Sequence, residues 1–217
     1  MTKTGGAARP PITADPDSLL ETFQLYRKPI SIVAIVVAVA AGGTFLWKAN
    51  RVRRETQAER AFFDAMALVT QRTPGGSDSL AKVVQRYAGT PGGVQAALLY
   101  AQTKFDAGKF DDGQKVLDEV SSPGALASGV EALKAAGYEG QQKFDKAAEH
   151  YLAAVAKASL QGEKDFLKGE AARALTAAGK KADAVKLWTE LAGKTASPMN
   201  AEAKIRLGEL SAAAAKP

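Results

Sequence analysis

The apolar positions of the chain follow two different patterns. From Pro29 to Trp47 no side chain is charged, and the run from Ile30 to Ala40 is almost entirely aliphatic. Farther along, apolar residues recur every three or four positions, as at Ala58, Phe62 and Ala65. The first pattern is typical of a helix that is apolar on every side, and the second of amphipathic helices. The sequence therefore predicts an all-α protein.

The apolar segment has the length of a membrane span. Residues 29–47 at about 1.5 Å per residue cover about 28 Å, close to the hydrocarbon thickness of about 30 Å. Aromatic and basic residues flank it, as expected at a lipid interface: Tyr26, Arg27 and Lys28 before it, Trp47, Lys48 and Arg51 after it. We predict a single transmembrane helix at 29–47, in contact with the lipid bilayer.

A cleaved signal peptide is the alternative, because Ala38-Val39-Ala40 has the small-x-small form of a processing site. The apolar run continues past that site to Trp47, and acidic residues precede it, so the anchor is favoured. Within the helix, Ala34, Ala38 and Gly42 recur every fourth residue. Such a ridge allows close packing of a second membrane helix, although alanine is also common throughout the segment.

The residues before the span predict two short segments. Residues 1–17 contain several Gly and Pro residues and few large apolar ones, which indicates a flexible arm. Ser18 followed by Glu21 matches a capping box, so we expect a short interfacial helix at 18–28.

The chain after the span predicts helical hairpins. Residues 48–90 form a juxtamembrane helix and a first hairpin, broken at Pro74-Gly75-Gly76 and ended by Gly89-Thr90-Pro91-Gly92-Gly93. Gly108-Lys109-Phe110-Asp111 then recurs as Gln142-Lys143-Phe144-Asp145, 34 residues later. This spacing is the tetratricopeptide period.

The repeat register also places residues of matching size. Small residues occupy the predicted helix contacts, and large apolar residues the next inward position: Ala101, Ala135, Gly113 and Ala147, then Leu117 and Tyr151. A third copy contains Ala172, Ala184 and Trp188, after an insertion that we place near Ser159 to Asp165, where Gly162 interrupts the pattern. A lone helix from Asn200 covers the last pair.

On these residues the chain resembles the tetratricopeptide superfamily. The resemblance implies an α-solenoid of about three helix pairs with repeats at 91–197, plus a capping helix and tail at 198–217. The first helix of each pair lines the concave surface in that family. By position, this implies a partner groove at Tyr100, Lys104, Lys134, Tyr138 and Arg173, here named the predicted groove.

The combination of an anchor and repeats is similar to the YfgM-like ancillary subunits of the Sec translocon. The segment Val84-Gln85-Arg86-Tyr87-Ala88-Gly89-Thr90-Pro91 is of the kind found in that group. The resemblance implies a single-pass protein of the bacterial inner membrane whose repeat domain faces the periplasm and contacts exported clients and chaperones. Accessory subunits of other membrane complexes share this layout.

The charge distribution favours a membrane over nucleic acid. The net charge is +6, but residues 48–60 hold five Lys and Arg residues against two Glu. A basic excess beside an apolar segment suits anionic lipid headgroups. Basic residues are also slightly more numerous just after the span than before it, which favours a cytoplasmic repeat domain by the positive-inside rule, against the family resemblance.

The sequence contains few residues suited to catalysis or to binding a metal or cofactor. There is no cysteine and one histidine, His150, which we interpret as a packing residue. Protease, hydrolase and dinucleotide-binding motifs do not occur, and Gly193-Lys194-Thr195 lacks the first glycine of a phosphate-binding loop. We expect no enzyme activity, cofactor, metal or small-molecule substrate.

Two functions fit these observations. The chain is either an adaptor that binds clients transiently at a translocon or with chaperones, or a stoichiometric structural subunit of a large integral-membrane complex, respiratory or photosynthetic. A permanent assembly would also order residues 1–17.

Overall fold

All regular structure in the described part of the chain is helical. The computed structural model describes the backbone of residues 16–214 and the side chains of residues 37–212. The helices are α1 (Pro16–Thr70), α2 (Gly76–Arg86), α3 (Pro91–Asp106), α4 (Phe110–Asp118), a 3-10 turn (Gly124–Leu126), α5 (Ala127–Gly140), α6 (Phe144–Lys157), α7 (Gln161–Ala177), α8 (Lys181–Ala192) and α9 (Asn200–Ala214). The chain divides into two units, Met1–Val52 and Arg53–Pro217, which are described separately below.

The first unit contains the beginning of α1. The predicted interfacial helix at 18–28 and span at 29–47 are parts of this one helix, which begins at Pro16 and not at Ser18. Proline suits a first helical turn, because the N–H it lacks would have no partner there. The predicted arm lies mostly outside the described residues. Among the residues described, no helix is long and apolar enough to cross a membrane, and the side chains of 29–36 are outside that set.

The second unit is built from consecutive helix pairs. The end of α1 packs with α2 and α3 through Phe62, Ala65, Leu80, Val83 and Ala96. The pairs α3 with α4, α5 with α6, and α7 with α8 follow, and α9 packs on α8. The second unit is therefore the predicted repeat array, with a pair formed by α1 and α2 in front of it.

Small residues lie where the repeat register places them. Ala101, Ala135 and Ala172 in the first helices have no exposed surface, and neither do Ala147 and Ala184 in the second helices. The large apolar positions that follow are also buried, at Leu117, Tyr151 and Trp188. The Phe105 ring occupies the space beside two glycines, because a Cβ at Gly113 would meet Phe105 Cε1 at 2.3 Å and one at Gly137 would meet Phe105 Cζ at 2.4 Å.

Three glycines that were expected to interrupt helices, Gly92, Gly93 and Gly162, lie inside helices instead. Gly92 and Gly93 belong to α3, where the Thr90 hydroxyl caps the helix by accepting from the Gly93 N–H at 3.1 Å. A Cβ at Gly92 would lie 2.6 Å from the Ala58 carbonyl carbon, so this glycine allows α3 to approach α1. Gly162 lies inside α7, which has 17 residues against 14 in α5, so the extra residues lengthen a helix.

The turn inside each repeat pair uses one left-handed residue. Gly108, Gln142 and Gly179 have φ values of 72°, 59° and 78°. In each case the next amide donates to a carbonyl of the preceding helix, as Lys143 N does to Tyr138 O at 2.9 Å. Left-handed geometry strains any residue with a Cβ, so the second repeat has a strained turn that the other two avoid.

Replacing Gln142 with glycine should therefore stabilise the protein. Relieving the left-handed strain contributes more free energy than is lost through the greater flexibility of glycine in the unfolded chain. We therefore expect the free energy of unfolding to increase by about 0.5–1 kcal/mol. Urea unfolding of the full chain in mild detergent measures this. The matched change Gln141→Gly, at a residue with φ of −87°, should destabilise instead. Equal effects at both positions would contradict the explanation.

Candidate partner-binding surface

The predicted groove residues lie on the first helices of three successive pairs, and all are half-buried. Tyr100 and Lys104 are on α3, Lys134 and Tyr138 on α5, and Arg173 on α7. Each of them contacts another side chain of this protein. The side chains of the predicted groove are therefore held in place by internal contacts.

The α3 pair and Lys134 form local contacts. Lys104 Nζ lies 4.8 Å from the centroid of the Tyr100 ring, a cation–π distance. Lys134 Nζ lies 2.6 Å from Asp118 Oδ1, and its side chain is only 14% exposed. This ion pair joins α5 to the end of α4, so it holds two neighbouring repeats together.

Tyr138 is positioned by the lone histidine. Its ring stacks on the His150 imidazole with centroids 5.1 Å apart, and Lys146 Nζ lies 5.3 Å from the same ring. His150 Nδ1 lies 2.8 Å from Glu131 Oε2, and Lys157 donates to the other Glu131 oxygen. Burial alone would raise the pKa of Glu131, but the hydrogen bonds from Lys157 and His150 outweigh it and keep that pKa below its usual value. His150 therefore acts as a packing residue, as the sequence indicated.

Arg173 is the most highly coordinated of the five. Its Nε and Nη2 donate to the two carboxylate oxygens of Glu202 at 2.9 and 2.6 Å, and Nη1 donates to Glu170. Hydrogen bonding to Glu202 is the main cause of a raised pKa at Arg173 and of a lowered pKa at Glu202. The bidentate geometry fixes α9 against α7.

These ion pairs, here named the ion chain, continue along α9 through residues that the sequence analysis did not single out. Arg206 donates from Nε to Glu202 at 3.4 Å and from Nη1 to Glu209 at 3.0 Å. Spacings of three and four residues within α9 could have indicated these pairs, but nothing local relates Glu202 to Arg173, 29 residues away.

A cleft of about 480 Å³ opens between α7, α8 and α9 beside this ion chain. It is lined by Arg173, Thr176, Ala177, Lys181, Trp188, Arg206, Glu209 and Leu210. Both arginines are already neutralised by carboxylates, so the walls offer mainly apolar surface and fixed donors. Lys181, exposed in the first turn of α8, forms no ion pair with any residue that the structure describes.

Glu139 connects α5 to the same side of the array. The Tyr151 hydroxyl donates to Glu139 Oε2 at 3.0 Å. Burial raises the pKa of Glu139, the Tyr151 hydrogen bond partly offsets this, and the Glu170 carboxylate raises it further. The charges of Glu170 and Arg173 on α7 therefore act on Glu139 of α5, so these two first helices are electrostatically coupled.

The predicted membrane-packing residues remain untested. Ala34 lies outside the described side chains, while Ala38 and Gly42 are exposed. A Cβ built on Gly42 would have no atom within 4 Å. The described residues also contain no cluster of three or more groups suited to a metal ion.

Consecutive helix pairs define a helical-repeat domain of the protein-binding class. The sequence matches the family model of the tetratricopeptide repeat-like domain over residues 22–215, and the chain therefore belongs to that family. A crystal structure of TPR-like repeats from Podosopora anserina, which are nearly identical to one another, is similar to this chain. The match has a TM-score of 0.58 and 18% sequence identity, and it covers 74% of this chain and 87% of that one. At this identity the match shows the fold alone. No curated protein matches the sequence.

Replacing Arg173 with glutamine should release the capping helix. The change removes the guanidinium, leaves Glu170 without its cation and leaves Glu202 with only the longer bond from Arg206, which should cost about 1–3 kcal/mol. We expect faster amide hydrogen exchange in α9 and unchanged exchange in α5 and α6. The variant Lys181→Gln, in the same cleft but without an ion pair among the described residues, should leave α9 protected. Uniform loss of protection in all helices would contradict a local role for Arg173.

Replacing Glu139 with glutamine should change how stability depends on pH. A raised folded-state pKa means that protonated Glu139 favours folding, fully below the unfolded value near 4.5, and that this contribution is lost as the pH rises through the folded pKa. Glutamine stays neutral, so the variant should gain stability relative to the parent as the pH rises above about 4.5, and should keep that gain above the folded pKa. Denaturant unfolding at several pH values measures this. The exposed Glu149→Gln control should show no such gain, and a gain confined to low pH would contradict the assignment.

Proposed function

We propose that this chain is a non-enzymatic, membrane-anchored scaffold or adaptor that binds protein partners, in association with a translocon or with chaperones. Tetratricopeptide-like repeats are typical protein-interaction scaffolds, which supports the binding role. The family model begins at residue 22, so it includes the apolar segment together with the repeats. We therefore infer that the apolar segment and the repeats act as parts of one functional unit.

The main support for an anchor is the exposure of the apolar helix. Every described residue from 37 to 48 is exposed, and Val37, Val39, Phe45, Leu46 and Trp47 are between 60% and 72% exposed. A helix that is apolar on all sides needs an apolar environment. A bilayer provides one around the whole helix.

The cleft between α7, α8 and α9 is the proposed client site. It combines Ala177 and Leu210 with a rigid polar rim above the Trp188 ring, which is only 1% exposed, and Lys181 at its edge has no internal ion pair within the described part of the chain. Apolar pockets with a few fixed polar groups are suited to receiving a side chain from a partner. The ordered arginines reduce the entropy lost on binding.

We place the protein in the bacterial inner membrane with the repeat domain in the periplasm. This follows the resemblance to the YfgM-like proteins, although the charges around the predicted span favour the opposite side. The proposed clients are accordingly exported proteins and periplasmic chaperones.

A structural subunit of a large membrane complex is the second candidate. Leu160, just before α7, and Phe166, within α7, are 70% and 50% exposed and lie outside the cleft. A contiguous apolar surface is typical of a region covered by a permanent partner, and these two side chains would contribute to one. In this alternative the repeat domain would have a fixed stoichiometry with its complex.

Filling the cleft should separate client binding from anchoring. We expect Ala177→Trp, which places a large ring in the cleft, to reduce partner recovery at least about tenfold, because the side chain excludes the client. The full-length tagged protein is purified from its native membrane in mild detergent, and partners are quantified by mass spectrometry. Ala156→Trp, at an exposed position on α6, is the matched control and should leave recovery unchanged.

The identity of the recovered proteins decides between the candidates. Translocon subunits with exported proteins and periplasmic chaperones at low occupancy would support the adaptor. A discrete complex at fixed stoichiometry would support the structural subunit instead. Cytoplasmic chaperones would contradict the periplasmic placement, and full partner recovery with Ala177→Trp would contradict the client site.

A further inference from the structure

The apolar core of the repeat domain is interrupted between the pair of α3 with α4 and the pair of α5 with α6. The buried residues of α3 and α4 form one cluster, Ala101, Phe105 and Leu117, and within the described residues Leu133 is the only apolar side chain of α5 that packs against it. The buried residues from α5 to α9 form a separate, larger cluster. The contact of α5 with α3 and α4, here named the seam, therefore contains little shared apolar core.

The aromatic rings that cross the seam lie against glycines. The Phe105 ring of α3 fills the space that a Cβ at Gly137 of α5 would need, and the Phe110 ring of α4 does the same at Gly140. At these two points α5 presents backbone and no side chain that could interlock with the ring. A flat ring on a glycine backbone can tilt or slide with less resistance than interdigitated side chains can.

Polar groups complete the seam, but they pair incompletely. Gln114 Nε2 on α4 donates to Lys134 O at 2.8 Å, and Lys134 Nζ lies 2.6 Å from Oδ1 of the exposed Asp118. Gln114 Oε1 is buried without a hydrogen-bond partner among the described residues, as is Nε2 of Gln141, directly after α5. Because buried polar atoms are nearly always paired, an orphaned acceptor opposes tight closure of the seam, and a small opening would give water access to it.

The chain around the seam adds little restraint. α4 has 9 residues, against 14 in α6 and 12 in α8, so it offers α5 a shorter surface than the other second helices offer their neighbours. Residues 119–126 join α4 to α5 and are mostly exposed. Regions with few buried apolar contacts are the ones that move most readily in a folded domain.

We propose that the seam is a hinge, about which the block formed by α5–α9 rotates relative to the block formed by residues 53–118. The predicted groove crosses the seam, since two of its residues are on α3 and three are on α5 and α7. Rotation at the hinge therefore changes the separation between these two parts of the groove. The cleft between α7, α8 and α9 lies within one block and keeps its shape.

Dipolar electron paramagnetic resonance between pairs of spin labels tests the hinge. The chain has no cysteine, so labels can be attached at two introduced cysteines in the full-length protein in mild detergent. Lys115→Cys on α4 with Glu149→Cys on α6 spans the seam, and Glu149→Cys with Lys186→Cys on α8 lies within one block. These exposed positions are equivalent in successive pairs, so the two label geometries are matched. We expect a distance distribution at least about twofold wider across the seam. Equal widths would overturn the hinge.

Removal of the ion pair at the seam gives a second test. Asp118→Asn, which leaves Lys134 without its carboxylate, should widen the distribution across the seam and leave the distribution within the block unchanged. The control Asp145→Asn removes an exposed ion pair with Lys180, at 3.0 Å, that lies inside one block, and it should not change the width across the seam. Equal widening by both variants would overturn the hinge. Both tests use the protein without a partner, so failure to recover partners from native membranes would contradict the proposed function and not the hinge.

Discussion

Close packing of helix backbones at small residues is the constraint on which the repeat domain depends. Ala101, Ala135 and Ala172 are fully buried in the first helices, and Phe105 fills the space that a side chain at Gly137 would need. Larger residues would separate the helices and lose dispersion contacts across the whole pair. The same contact recurs along the chain, so one packing solution determines the successive helix pairs.

The sequence was informative wherever a structural demand repeats. Small residues at Ala101 and Ala135 recur at the tetratricopeptide period, and therefore predict the helix pairs and their buried contacts. Single events leave no such signal. The left-handed Gln142 and the longer α7 could not be predicted, because surrounding contacts impose them on residues that otherwise favour other structures.

The candidate site was predicted less well, for the same reason. Family position singled out Arg173 as a groove residue, which stays a prediction. Its carboxylate partners Glu170 and Glu202 were missed, since ion pairs between distant helices have no period. The cleft depends on how α9 packs against α7 and α8, and this packing is tertiary information. The internal pairing of the arginines means that the surface offers shape and apolar area more than free charge.

Occupation of the cleft by a protein partner is the central claim, and site-specific photo-crosslinking in the native membrane tests it most directly. A photoreactive residue at position 181, on the edge of the cleft, should crosslink to a partner protein. The same residue at position 149, exposed on α6, should give little product. Equal crosslinking at the two positions, or crosslinking at position 149 alone, would contradict the account.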